Sequence, residues 1–187
     1  MKTRTLFIFT ILLMLLLYPA ETTRGETLIR LGGDTGTLQM EEGTGNNLEA
    51  STEWGYSPAI EYLFSARDNF TLGGGVEVVP WRKSNTGSGE DFSYINFYSA
   101  GNYRVGEKIF LRGRLGYSHF LPPEIQQVDS IDIEVGLFTG VGIGTRIKNT
   151  EYEVYYARNT TSITDLYLDQ TEELIYSRTG LAVSFVF

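Results

Sequence analysis

Over residues 131–147 the chain changes character at every step. Ile131, Ile133, Val135, Leu137, Thr139, Val141, Ile143, Thr145 and Ile147 occupy one set of positions. Asp132, Glu134, Gly136, Phe138, Gly140, Gly142, Gly144 and Arg146 occupy the other. Successive side chains of a β-strand point to opposite faces, so this run predicts a strand with one aliphatic face and one face of charge and glycine. Its 17 residues far exceed the ~5–6 of an ordinary strand. Such a length suits a tilted crossing of a bilayer with some extension beyond it.

The pattern recurs along the chain. Residues 54–64 set Trp54, Tyr56, Pro58, Ile60, Tyr62 and Phe64 against Gly55, Ser57, Ala59 and Glu61. Residues 70–80, 109–121, 152–156 and 179–187 alternate in the same way, and 27–33 and 95–105 do so more weakly. Together these predict eight strands. Short turns are expected at Arg67-Asp68-Asn69, Val105-Gly106-Glu107 and Lys148-Asn149-Thr150, and long polar links at 34–52, 82–92, 122–130 and 159–173. Short and long connections on opposite ends, with both termini at the short end, are the plan of an all-β, antiparallel, up-and-down transmembrane β-barrel with short periplasmic turns.

The N-terminus predicts export. Lys2 and Arg4 precede an apolar run from Leu6 to Tyr18, broken only by Thr10. Thirteen helical residues rise only ~20 Å, short of a ~30 Å hydrocarbon core, so a signal peptide over residues 1–25 is expected, cut after Ala20 or Gly25. The barrel domain would then span 26–187. The absence of cysteine excludes a disulfide scaffold, a thiolate metal site and a cysteine nucleophile.

Alternation alone leaves two barrels open: a membrane barrel with its apolar face outward, and a soluble lipocalin-like one with that face inward. Apolar-out is favoured because glycine gathers on the charged face (Gly73, Gly75, Gly136, Gly140, Gly142, Gly144), as a narrow interior requires. Aromatic residues also flank the turns: Phe64, Phe70, Tyr103, Tyr152 and Phe187 at one end, Trp54, Tyr56, Tyr117 and Tyr156 at the other. The charged face carries both signs, with Arg30, Arg112, Arg114, Arg146 and Arg178 opposite Glu53, Glu61, Glu77, Glu134 and Glu153. Residues 26–187 hold 12 Lys/Arg and 22 Asp/Glu, and the four long links alone hold 2 and 12, so the whole −10 belongs to the links.

On these features residues 26–187 resemble the outer-membrane β-barrel superfamily, particularly small eight-stranded members like the membrane domain of outer membrane protein A. The resemblance implies that Leu181, Val183, Phe185 and the terminal Phe187 form the signal read by the barrel assembly machinery. It also implies a Gram-negative outer-membrane location, with lipid and lipopolysaccharide around the barrel and an extracellular partner that the sequence does not identify.

Candidate chemistry is sparse. His119 is the only histidine, expected on the outer rim with Ser118 turned inward. Lipid A deacylases of this barrel size carry a His-x-Ser-Asn pattern, whereas His119 is followed by Phe120, Leu121 and Pro122. The glycine runs lie inside strands and not at a strand-to-helix turn, so they suggest interior packing, not nucleotide binding. The interior charge network expected from the alternation comprises Arg112, Arg114, Arg146, Arg178, Glu61, Glu77 and Glu134. The acidic links (Asp34, Glu41, Glu42, Glu49; Asp165, Asp169, Glu172, Glu173) are expected to be a solvated face. The expected function is a non-enzymatic barrel with a structural or surface-interaction role and no cofactor or nucleic-acid partner. The alternatives are a narrow porin-like channel and a lipid A-modifying enzyme.

Overall fold

Branched and aromatic side chains at alternate positions pack well on a pleated surface, and such stretches of this chain are strands in the computed structural model. The structure describes residues 25–41, 47–67, 69–83, 91–122, 131–165 and 170–187. The expected signal peptide lies outside the described residues except for Gly25, which opens the first strand. The strands are β1 (Gly25–Glu41), β2 (Asn47–Ser51), β3 (Gly55–Arg67), β4 (Phe70–Lys83), β5 (Asp91–Val105), β6 (Ile109–Leu121), β7 (Ile131–Ile133), β8 (Gly136–Ile147), β9 (Thr150–Asp165) and β10 (Gln170–Val186).

Every neighbouring pair is antiparallel, and β10 pairs with both β9 and β1, which closes the sheet. Reciprocal bonds between Thr27 and Phe187, at 3.1 and 2.9 Å, seal the seam at the short-turn end. Closure leaves the eight staves without an open edge where they cross the apolar band, a requirement in hydrocarbon; the short β2 and β7, above the bulges, each pair on one side only. β2 continues β3 along β1, and β7 continues β8 along β9, so the cylinder has eight staves. The three short turns fall where the sequence places them.

The long links differ from expectation. Much of 34–52 and 159–173 is strand: β1 runs on to Glu41, β2 begins at Asn47, β9 reaches Asp165 and β10 begins at Gln170. Strands of 13–17 residues rise ~3.3 Å per residue and, tilted by ~40°, climb well past a ~25 Å apolar band. Beyond that band the outer face meets water, so apolar residues are no longer required there and the sequence alternation fades.

The alternation is also broken in phase. β1 pairs Asp34 with Gly55 but Thr37 with Ser51, so one extra residue is inserted near 52–54. β9 pairs Asn159 with Phe138 but Ile163 with Ile133, an insertion at 134–135. β4 slips between Val79 and Arg82, where Trp81 takes a left-handed φ of 40°. Each bulge exchanges the two faces of its strand. Residues 131–147 are therefore not one uninterrupted pattern. Ile133, expected outside, packs inward against Val79, Phe92, Tyr94, Phe120, Leu174 and Tyr176.

Below the bulges the faces are as expected. Leu115 (60%), Val141 (60%), Ile143 (53%) and Leu181 (67%) are exposed on the outer wall, while their alternate neighbours are buried or half-buried. Tyr103, Tyr152 and Phe187 ring the short-turn end, and Trp54, Tyr56 and Tyr117 ring the other, joined by Trp81; Tyr156, expected in that second ring, pairs with Val141 and lies midway up the wall. A continuous apolar belt of this extent is far larger than the patches of soluble monomers and is the lipid-facing wall of a membrane barrel. An arginine there costs ~2–4 kcal/mol near the bilayer centre. Val141→Arg should lower stability by about that amount in urea titrations of the barrel folded into lipid vesicles, read by fluorescence of Trp54 and Trp81; an unchanged midpoint would place Val141 away from lipid.

Candidate functional site

The inward face carries five guanidiniums, Arg30, Arg82, Arg112, Arg114 and Arg178, and five carboxylates, Asp34, Glu61, Glu77, Glu151 and Glu153, all buried among the described residues. Charges removed from water persist only when paired and hydrogen-bonded, and here they form one connected chain. Asp34 takes hydrogen bonds from Arg82 (2.7 Å), Arg178 (3.0 Å), Ser57 (2.8 Å) and Tyr155 (2.6 Å). Arg178 bridges onward to Glu77, which also accepts from Arg30 (2.8 Å) and Asn96 (2.9 Å). Arg30 reaches Glu153 at 3.6 Å, and Arg114 grips Glu153 with both terminal nitrogens at 2.6 and 2.9 Å. Arg114 Nε and the Tyr98 hydroxyl both donate to Glu61 at 2.9 Å. Arg112 then links Glu61 (3.5 Å) to Glu151 (2.7 Å).

Glycine makes room for these groups. A Cβ on Gly75 would lie 2.9 Å from both Glu61 Cγ and the Tyr98 ring, and one on Gly142 would collide with the Glu153 carboxylate. Aromatic faces cover the flat guanidiniums: Arg30 lies 4.3 Å from the Tyr155 ring centre and Arg112 lies 4.7 Å from that of Phe110.

Toward the long-loop end the interior turns apolar. Tyr94 and Tyr176 stack with centroids 6.0 Å apart, and Phe92 meets Tyr176 edge-on at 5.1 Å. Val79, Phe120 and Leu174 complete the cluster, and Leu38, Met40, Ile133 and Ile163 pack against it. Arg82 Nε, 3.3 Å from the Tyr176 hydroxyl, ties this aromatic plug to the ionic chain.

Of the network residues expected from the sequence, Arg112, Arg114, Arg178, Glu61 and Glu77 meet inside. Arg146 lies at the short-turn mouth, half-buried, paired with Glu26 at 2.8 Å. Glu134 is exposed on the bulge between β7 and β8 and takes no part, and Glu53 is exposed for the same reason on the bulge between β2 and β3. Conversely, Asp34 and Arg82 fall in the expected polar links, yet both are buried members. The Val79/Arg82 slip turns Arg82 inward, a signal invisible to fixed alternation. Glu151, the second residue of β9, joins the network through Arg112.

The remaining candidates stay apart. His119 is exposed on the outer face, while Ser118 is buried and accepts from Asn159 at 2.8 Å. Leu181, Phe185 and Phe187 point outward and Val183 is half-buried. Among the described residues no group of three or more His, Asp or Glu side chains converges as a metal site.

Removing Arg114 leaves Glu61 and Glu153 short of their strongest donor. Breaking a buried pair from one side costs ~3–5 kcal/mol, so Arg114→Ala should lose about that in vesicle-folded urea titrations. Glu134→Gln should stay within ~0.5 kcal/mol; a large Glu134 effect or a silent Arg114 would contradict the network.

No family model and no curated protein matches the chain. Among solved structures it is similar to Ail, the attachment invasion locus protein of Yersinia pestis, at 15% identity and a TM-score of 0.52, over 87% of this chain and 99% of Ail. It is similar to Neisserial surface protein A at 13% identity and a TM-score of 0.51, over 85% and 97% of the two chains. Outer membrane protein AlkL matches at 15% identity and a TM-score of 0.52, over 91% and 95%. With its closed antiparallel cylinder and lipid-facing belt, the chain has the fold of the small eight-stranded outer-membrane β-barrels.

Proposed function

We propose that this is a non-enzymatic, non-conducting barrel of the bacterial outer membrane, which serves envelope integrity and surface interaction through its acidic long-loop end. The observation that carries the proposal is the filled interior. Ten charged groups neutralise one another along the axis, and a cluster of aromatic and aliphatic side chains lies between them and the loops. An eight-stranded cylinder is just wide enough for its side chains to fill, so an ion would have to displace paired charges at several kcal/mol each.

Several features fit the same role. The acidic strand extensions, including Glu41, Glu49, Asp132, Glu172 and Glu173, belong to the end opposite the short turns. Insertion would rest on the apolar C-terminal residues, Leu181, Val183, Phe185 and Phe187, presented to the barrel assembly machinery, and lipopolysaccharide would surround the upper belt. Purified monomer reconstituted in planar bilayers should show no stable single-channel conductance. Discrete, reproducible openings from the monomer would favour a narrow channel for ions or small solutes instead.

A further inference from the structure

The interior balances five charges against five, but the short-turn mouth does not balance. Of the 12 Lys and Arg in residues 26–187, five lie at this end: Arg67, Arg104, Lys108, Arg146 and Lys148. Four of them, Arg104, Lys108, Arg146 and Lys148, line one cavity of about 350 Å3, floored by the buried ring of Phe110. That size is at the lower end for a small-ligand pocket. Three carboxylates are near. Glu151 is committed to Arg112 at 2.7 Å, and Glu26 is shared between Arg146 (2.8 Å) and Arg104 (3.6 Å). Glu107 is the third, on the cavity rim. Among the described residues neither Lys108 nor Lys148 has a carboxylate within ion-pair distance.

The mouth is also braced. Arg146 N donates to the Lys108 carbonyl at 2.8 Å, which locks the β5–β6 turn to β8. Arg146 Nε donates to the Lys148 carbonyl at 3.2 Å. Lys148 itself sits at a left-handed φ of 55°, a conformation that costs a long side chain more than it costs glycine or asparagine. The two braced turns thus bring two lysines without an ion-pair partner among the described residues, and two arginines that share Glu26, to the lining of one cavity. Exposed Val105, Ile109 and Ile147 flank it on the outer wall, which sets the cavity at the level where hydrocarbon gives way to headgroups.

We infer that this mouth is an anion site that takes a phosphate group. Lys108 and Lys148 act as point charges from the two turns, and Arg104 and Arg146, which share the single carboxylate of Glu26, add positive charge beside them. The phosphate can come from the headgroup of an anionic phospholipid in the adjacent leaflet or from a free phosphate in the aqueous phase, and the test separates the two.

The intact barrel is placed in phosphatidylcholine nanodiscs, with and without a minor fraction of phosphatidylglycerol. Native mass spectrometry reads retained phosphatidylglycerol. NMR reads the amides of Lys108, Ile109 and Lys148 in discs of phosphatidylcholine alone as inorganic phosphate is added. Retained phosphatidylglycerol identifies a lipid headgroup as the source; amide shifts with phosphate but no retained lipid identify a free anion. In either case the paired variant Lys108→Gln/Lys148→Asn should weaken the response on the order of tenfold, since each surface cation contributes appreciably to anionic-lipid affinity. Lys108→Gln alone, at an exposed turn position, should weaken it less and guards against misfolding of the pair. No response in either arm, or an equal response in wild type and Lys108→Gln, overturns the inference.

Discussion

A closed eight-stranded cylinder in a membrane separates two media that exclude each other's residues. Lipid outside rejects charge, and an interior this narrow has little room for the water that charges need. Any ionic side chain turned inward must find its opposite within a few ångströms, and the buried set among the described residues is five guanidiniums and five carboxylates. The glycines at 75 and 142, the aromatic covers over Arg30 and Arg112, and the bidentate grip of Arg114 on Glu153 all follow from that requirement. Taken alone, buried pairs are weak evidence for net stability. Here they do something else: they fill the axis and bind strands far apart in sequence, such as Asp34 of β1 to Arg178 of β10, 144 positions away.

The membrane-embedded half of this design is plain in the sequence. Within the apolar band each outward residue must be greasy and each inward one small or paired, so Leu111, Leu115, Val141, Ile143, Val154 and Leu181 declare their face, as do Arg112, Arg114 and Glu61. Eight staves and three short turns follow from the same period. What the sequence concealed lies above the bulges. At 52–54, 80–81 and 134–135 one added residue inverts the phase, so Glu53 and Glu134 go outside while Arg82 and Ile133 go in. A bulge leaves no fixed residue signature, and once the outer face meets water the alternation that would expose the inversion disappears. Polar strands such as the upper parts of β1 and β9 then look like links. The aromatic plug went unseen for the same reason, since Phe92, Leu174 and Tyr176 lie in or beside stretches expected to be links.

The two ends of the cylinder have opposite characters. By sequence the short-turn end holds five cations, Arg67, Arg104, Lys108, Arg146 and Lys148, against three acids outside the core, Glu26, Asp68 and Glu107, whereas the long-loop end carries most of the acidic residues outside the core. Moving Asp34 and Arg82 from the links to the interior removes one charge of each sign, so the links keep their −10. The neutral interior contributes nothing to this polarity. With the short turns on the periplasmic side, as the plan of such barrels has them, the acidic end would face outward and the proposed anion cavity the periplasm.

Everything depends on which residues face lipid, and the absence of native cysteine makes that directly measurable. Single substitutions Ile133→Cys, Leu137→Cys, Val141→Cys and Ile143→Cys, spin-labelled in the bilayer-folded barrel, report collision with oxygen dissolved in the lipid. Labels at 137, 141 and 143 should collide strongly, and the label at 133, beyond the bulge, should be immobilised and shielded. Shielding at 141 with high accessibility at 133 would contradict both the outward apolar face and the phase inversion above it.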